Sequence, residues 1–193
     1  EGGYFIVNGN EKVIVTQERT SENKAYVFKN NKINKYKLIA DIKSVSSKTF
    51  NIIRSVQIKL TKRTGIKKSK LKVSIPHIKH DIPLFILFKA LGYESDKKIL
   101  DLIFVHLNDD EIKTLQPILK NTLEESLDIQ TKQLAIEYLT KYIGLNQHYY
   151  KEKKIKYVID LIQNDLLPHV GPNFKNKAYY LGYMVSKLLL VFL

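Results

Sequence analysis

The chain has no cysteine and no tryptophan. Without cysteine there is no disulfide scaffold, no thiolate zinc site, no thiol nucleophile and no iron–sulfur cluster. The same absence fits a reducing compartment. Arginine is scarce: only Arg19, Arg54 and Arg63 stand among 32 Lys and Arg residues. No Gly-x-Ser-x-Gly elbow, Walker A loop or Gly-x-Gly-x-x-Gly turn occurs. Long apolar runs are missing as well. The most apolar stretch, 178–193, is interrupted by Lys187. It falls short of the roughly 20 residues that a bilayer needs, so it reads as a packed terminal helix and no membrane partner is expected. Glu1 stands where a signal peptide would carry a basic region, and Tyr4–Val7 is too short for its apolar core.

What is present is lysine, unevenly spread. The 193 residues carry a formal net charge of +13. Residues 1–80 hold 15 Lys and 3 Arg against 5 acids, whereas residues 81–193 balance 14 Lys with 14 acids. The whole excess therefore lies ahead of Asp81. A one-sided basic segment points to a polyanionic neighbour: nucleic acid, an anionic membrane or an acidic protein. Hydrophobic residues at 44% and charged residues at 26% are ordinary for a globular chain. The length suits one domain, or one domain with pieces of a neighbour.

Two periodicities divide the chain. Tyr4–Val7, Asn8-Gly9 and Lys12–Val15 read as strand, turn and strand, because Asn-Gly accepts the positive φ of a tight hairpin. Ala25–Phe28, Tyr36–Val45, 50–60 and 71–75 read as further strands, several alternating apolar and polar. From Asp81 the period becomes helical. Asp81 is expected to cap a first helix ending at Gly92, with Pro83 in its first turn. A second helix should follow Ser95 or Asp96 and run through Leu107. A third should start at Asn108 or Asp109 and be interrupted by Pro117. The pattern in 131–143 turns Leu134, Tyr138 and Leu139 inward and stops at Gly144. Helices at 151–167 and 174–193 complete the chain, separated by Pro168 and Gly171-Pro172. Strands followed by helices, without βαβ alternation, predict an α+β fold: N-terminal antiparallel strands and then a helical bundle.

Candidate chemistry is sparse. His77 and His80 lack a third ligand motif nearby and read as surface histidines rather than a metal site. His106 lies close in sequence to Asp109, Asp110 and Glu111, but helix capping accounts for those acids. Lys151, Lys153, Lys154 and Lys156 form a solvated face or a docking surface for an acidic partner. The strongest local feature is the run Lys59, Lys62, Arg63, Lys67, Lys68, Lys70 and Lys72, which is densely basic and flanks Gly65. Lysine meets phosphate oxygens as a mobile point charge and reads no base. The competing reading is a solvated loop in a lysine-rich proteome.

The stretch from Gly2 to Val13, Gly-Gly-Tyr-Phe-Ile-Val-Asn-Gly-Asn-Glu-Lys-Val, followed by Gln17-Glu18-Arg19, resembles the second-largest subunit of multisubunit DNA-directed RNA polymerases of the eukaryotic and archaeal type. Pro76-His77-Ile78-Lys79-His80-Asp81-Ile82-Pro83, Phe88-Lys89-Ala90-Leu91-Gly92, Leu167-Pro168-His169, Lys177-Ala178 and Leu181-Gly182-Tyr183-Met184 extend the resemblance in the same order. Lys89 stands where relatives carry Arg, which keeps the charge and loses the bidentate fork.

The resemblance implies a lobe domain at 17–193, with mixed β at 17–75 and helices at 81–193, entered from the end of a protrusion-like hairpin at 1–16. It implies one wall of the DNA cleft and a factor-docking surface in transcription, in a chain cut from a longer polypeptide. The nucleic-acid-facing residues are then Lys12, Gln17, Arg19, Arg54, Lys59, Lys62, Arg63, Lys67, Lys68 and Lys70. No catalytic or metal-ligating residue is expected in this span. The parent's magnesium would lie in the largest subunit and its zinc elsewhere in the same subunit. Implied partners are DNA, other polymerase subunits, especially the largest, and initiation or elongation factors. The setting is intracellular: nuclear for a cellular eukaryote, host cytoplasm or virion for a large DNA virus. A protein-docking module without DNA contact and a stand-alone basic RNA-binding module remain alternatives.

Overall fold

The structure, a computed structural model, describes residues 3–30, 35–46, 52–62, 68–143 and 150–193. It is α+β, as the two periodicities predict. Strands β1 (Phe5–Val7) and β2 (Asn10–Lys12) form a hairpin of their own. Asn8 at φ 54 and Gly9 at φ 77 occupy its two-residue turn, the left-handed pair that matches the strand twist. Val7 therefore pairs directly with Asn10. The second strand starts at Asn10 rather than at Lys12, as expected from the apolar run, because so tight a turn leaves no spacer. Every residue of both strands is exposed, Ile6 at 69%.

Five strands make the main sheet: β3 (Ala25–Lys29), β4 (Tyr36–Ser44), β5 (Arg54–Thr61), β6 (Leu71–Ser74) and β7 (Ile82–Pro83). They run as an antiparallel meander in chain order. Alternation settles which face is dry. Leu38, Ala40, Ile42, Val56, Ile58, Leu60, Leu71 and Val73 are buried on one side. Lys43, Gln57, Lys59 and Lys72 point to the other, and Lys59 stands directly across from Lys72.

The helices cover the dry face. They are α1 (Leu84–Ala90), α2 (Asp96–Phe104), α3 (Asp109–Glu124), α4 (Lys132–Thr140), α5 (Lys151–Asn164) and α6 (Phe174–Phe192). Helix α6 packs against β3, β4 and β5 and also against α2; α1 packs on β6 and β7. All seven residues of α1 are buried, so it is the centre of the core rather than an amphipathic cover. One contiguous hydrophobic cluster runs from Ala25 to Leu189.

Several expected boundaries shift, each for a local reason. Asp81 caps no helix: Ile82 and Pro83 extend the sheet as β7, and α1 begins at Leu84 after an extended Pro83. Helix α2 ends at Phe104 instead of running to Leu107, whose N–H closes a tighter turn onto the Phe104 carbonyl. Pro117 does not interrupt α3, which continues through it to Glu124. Pro117 is exposed, so water can take the Lys113 carbonyl that its missing N–H leaves unpaired. Leu134 points outward, 46% exposed, while Ala135, Ile136 and Leu139 are buried. Thr131 caps that helix, accepting the Leu134 N–H at 3.4 Å. The expected stop at Gly144 lies outside the described residues. The start of α3 is as expected: Glu111 accepts the Asn108 N–H at 2.8 Å.

Among the described residues two lysines are fully buried. Lys89 of α1 lies 3.2 Å from Asp96 and donates to the Ser126 carbonyl at 3.3 Å. Lys177 of α6 donates to the carbonyls of Gln163 and Leu166. It thereby satisfies one carbonyl in the last turn of α5 and one in the chain just beyond it. Burial drives the Lys177 ammonium pKa down to about 8, against the opposing pull of Asp165.

Candidate nucleic-acid interface

The expected basic residues do not gather at one place. Lys12 lies in the exposed hairpin strand β2. Gln17 and Arg19 follow it in exposed, non-regular chain. Arg19 meets Glu22 at 2.7 Å, with its own side chain 77% exposed. Arg63 and Lys67 lie outside the described residues. Arg54, Lys59, Lys68 and Lys70 instead meet acids at three separate places: Asp165 after α5, Asp81 ahead of β7, and Glu124 and Glu125 at the end of α3.

Arg54 opens β5 and donates to Asp165 at 2.7 Å, and His77 stands 3.4 Å from the same carboxylate. Asp165 directly follows α5, so this pairing ties the sheet to the α5–α6 corner. Lys59 donates to Asp81 Oδ1 at 2.8 Å, and the Tyr36 hydroxyl donates to Asp81 Oδ2. Burial alone would raise the Asp81 carboxyl pKa. Hydrogen bonds from Lys59, Tyr36 and Ser74, together with the Lys59 charge, outweigh that and hold it below its usual value. Burial, then the Asp81 bond and charge, hold the Tyr36 phenol well above its usual value, so it remains a donor at neutral pH.

At the other end of the run, Lys70 meets Glu125 at 3.0 Å, with Lys72 at 3.7 Å from the same oxygen. Lys68 reaches Glu124 at 3.8 Å, a loose pair with the lysine 60% exposed. Exposed pairs of this kind contribute about 0–1 kcal/mol. Lys62 and Lys68 also stand at the rim of a wide groove floored by Leu100, Phe104, Ile118 and Phe192. Segregation of charge along the chain is therefore not segregation in space. Carboxylates of the neutral half answer part of the excess of the basic half.

The histidines also separate. His77 goes to Asp165, His80 stacks edge-on against Tyr142, and His106 sits against Tyr179 and Tyr183 of α6 rather than near Asp109. Among the described residues no group of three or more His, Asp or Glu comes together that could hold a metal ion.

One pair missed by sequence reasoning has the outline of a nucleophile and base. Ser44 Oγ lies 2.7 Å from His169 Nδ1 and accepts the His169 backbone N–H at 3.2 Å. Ser44 has no exposed surface, so its hydroxyl is out of a substrate's reach. The contact pins the end of β4 to the 3-10 turn at Pro168–Val170, which follows Leu167 at φ 48. No spacing in the sequence announces it, because 125 residues separate the partners.

The fold is thus an α+β domain with lysines on the wet face of its sheet and a serine–histidine contact closed off from substrate. Its residues place it more narrowly. The chain belongs to the family described as RNA polymerase Rpb2, domain 2, whose profile matches residues 21–193. It is 41% identical over 197 residues to DNA-directed RNA polymerase II subunit RPB2 of Encephalitozoon cuniculi, covering 99% of this chain and 16% of that protein. It is 36% identical to DNA-directed RNA polymerase II subunit 2 of Arabidopsis thaliana, covering 98% of this chain and 16% of that protein. It is also 36% identical to the archaeal DNA-directed RNA polymerase subunit Rpo2N of Methanococcus vannielii, covering 99% of this chain and 36% of that protein. The chain thus spans about a sixth of the length of its eukaryotic relatives.

Proposed function

We propose that this chain is the lobe region of the second-largest subunit of a DNA-directed RNA polymerase, forming one wall of the DNA cleft. Family membership carries the reading, and the basic, wet face of the β3–β7 sheet supports it. The chain guides duplex DNA by charge. It contributes no catalytic group, and nucleotidyl transfer belongs to the parent enzyme, with magnesium and zinc held outside this span. The other polymerase subunits, the largest above all, are its permanent partners, and a eukaryotic parent would work in the nucleus. Residues 17–193 form the lobe. Residues 1–16 form the end of the neighbouring protrusion, in keeping with the exposure of Ile6 in the hairpin and of Val13, Ile14 and Val15 after it. The helical half docks transcription factors, and a groove lined by α2, α3 and α6, with Lys37, Lys62 and Lys68 at its sides, is a candidate surface for this.

The test is a fluorescence-anisotropy titration of the 193-residue chain with duplex DNA at several KCl concentrations. The expected result is weak, sequence-independent binding whose log K falls linearly with log salt. Binding indifferent to salt would sink the cleft-wall reading. Lys62 and Lys68 also line that groove, so replacing them reads both surfaces at once. Weakened DNA binding with factor capture intact supports the DNA role, and the reverse supports a docking module.

A further inference from the structure

Behind Asp81 the fold builds a small polar depression of about 430 Å³. Its charged walls are Lys35, Lys59, Lys72, Lys79 and Asp81, four ammonium groups against one carboxylate. These lysines are far apart in sequence and come together for topological reasons. Lys59 and Lys72 are cross-strand neighbours on β5 and β6. Lys35 enters β4, its ammonium 5.8 Å from the centre of the Tyr36 ring. Lys79 lies in the loop that leads into β7.

Like charges placed directly opposite on neighbouring strands destabilise a sheet. Here each inner lysine has an acid in reach: Asp81 takes Lys59, and Glu125, shared with Lys70, lies 3.7 Å from Lys72. The outer two have none. Lys35 and Lys79 are both exposed, and neither has a carboxylate within salt-bridge distance among the described residues.

Asp81 is the apparent objection to an anion site, since it is itself a carboxylate lining the depression. Both its oxygens are occupied, Oδ1 by Lys59 and Oδ2 by the Tyr36 hydroxyl. It acts as an internal counter-ion that holds the inner wall together, and it leaves Lys35 and Lys79 to face outward. Four lysines supply charge without a planar fork, so the site would grip an oxyanion and read no base.

We propose that this depression is a phosphodiester-binding site: Lys35 and Lys79 hold a backbone phosphate of nucleic acid, with Lys59 and Lys72 behind them. The proposal rests on the cleft-wall reading and sharpens it. It moves the principal contact from the basic run at 62–70 to a pocket that only the folded sheet creates.

The experiment compares the 193-residue chain with three double variants, Lys35→Ala/Lys79→Ala, Lys62→Ala/Lys68→Ala and Lys97→Ala/Lys98→Ala. Each variant loses two charges. Lys97 and Lys98 are exposed on α2 and serve as the bulk-charge control. Duplex DNA and sodium tripolyphosphate are titrated separately, and thermal melts confirm that the variants fold. The expected outcome is a tenfold or greater loss of DNA affinity for Lys35→Ala/Lys79→Ala, with the salt slope shallower by about 2, and a much smaller loss for the control. Equal losses in all three variants overturn the pocket, because net charge alone then explains binding. Losses confined to Lys62→Ala/Lys68→Ala overturn it too, yet leave the cleft-wall reading standing. Tripolyphosphate binding that depends on Lys35 and Lys79, with no DNA binding by the parent chain, makes the occupant a free polyphosphate and refutes the nucleic-acid assignment.

Discussion

Replacing Gly182 with alanine tests how α6 is held against the rest of the core. A Cβ at position 182 would lie 2.9 Å from the Leu102 carbonyl oxygen and 3.3 Å from both its carbonyl carbon and its Cβ. The obstacle is helix backbone, not the end of a flexible side chain, so α2 and α6 must separate. One turn further along, the single Ser186 hydroxyl proton is shared between the Ile103 carbonyl at 2.6 Å and the Gly182 carbonyl at 2.9 Å. Separation therefore also stretches a buried interhelical hydrogen bond. Overpacking of this kind costs about 1–3 kcal/mol, and weakening the Ser186 bond adds up to about 1 kcal/mol. Alanine returns about 1 kcal/mol through its better helix propensity. The net expectation is a loss of about 0–3 kcal/mol. For a chain of this size each kcal/mol corresponds to about 2–4 °C in Tm. Urea unfolding followed by far-UV circular dichroism measures the loss, and Ser186→Ala and the double variant complete a cycle. The double variant should lose less than the sum of the singles, because both changes act on one contact. A Gly182→Ala protein more stable than its parent would refute the close-packed α2–α6 crossing.

Pro117→Ala should act in the opposite direction. An exposed proline in the middle of α3 leaves the helix short of one hydrogen bond, and alanine restores it for about 1–3 kcal/mol of added stability, read as a higher urea midpoint. A lower midpoint would mean that Pro117 has packing not evident from its exposure. The His169 imidazole gives a pH signature. Burial, with the Lys177 charge next, holds its pKa below the usual histidine value, and Tyr180 stacks on the ring at 4.7 Å. The unfolded chain then takes up this proton first as pH falls. The stabilisation is complete above about pH 6.5 and is lost as pH falls from there through the lower, folded-state pKa. His169→Asn should flatten this part of the stability profile on the acid side of neutrality, and an unchanged profile would place the acid sensitivity elsewhere.

Much of the fold was legible because it is local. Alternation in 36–44 and 54–60 revealed which side chains face inward, since a pleated strand admits only two faces; Ile53, just ahead of β5, is exposed instead. Asn8-Gly9 and the acids after Asn108 marked a turn and a helix start through backbone chemistry confined to a few positions. Pro117 misled for the same reason: a local rule reads the missing N–H but not the solvent that compensates for it. Asp81 misled differently. Its side chain suits a helix cap, yet the sheet offered it Lys59 and Tyr36, and Pro83 extended a strand instead.

The candidate interface divides along the same line. Composition alone established that the positive excess belongs to the stretch ahead of Asp81, and residue motifs alone pointed to the polymerase family. Both are properties of the covalent chain and survive any folding. Which lysines remain available was decided by tertiary structure. Asp81, Glu124, Glu125 and Asp165 reach the basic strands from residues remote in sequence. Coulomb attraction depends on separation in space and on the water between charges, neither of which is written in residue order. Lys35 and Lys79, which no run of cations singles out, therefore share a pocket, while Lys59 and Lys70 in the densest run already hold acids.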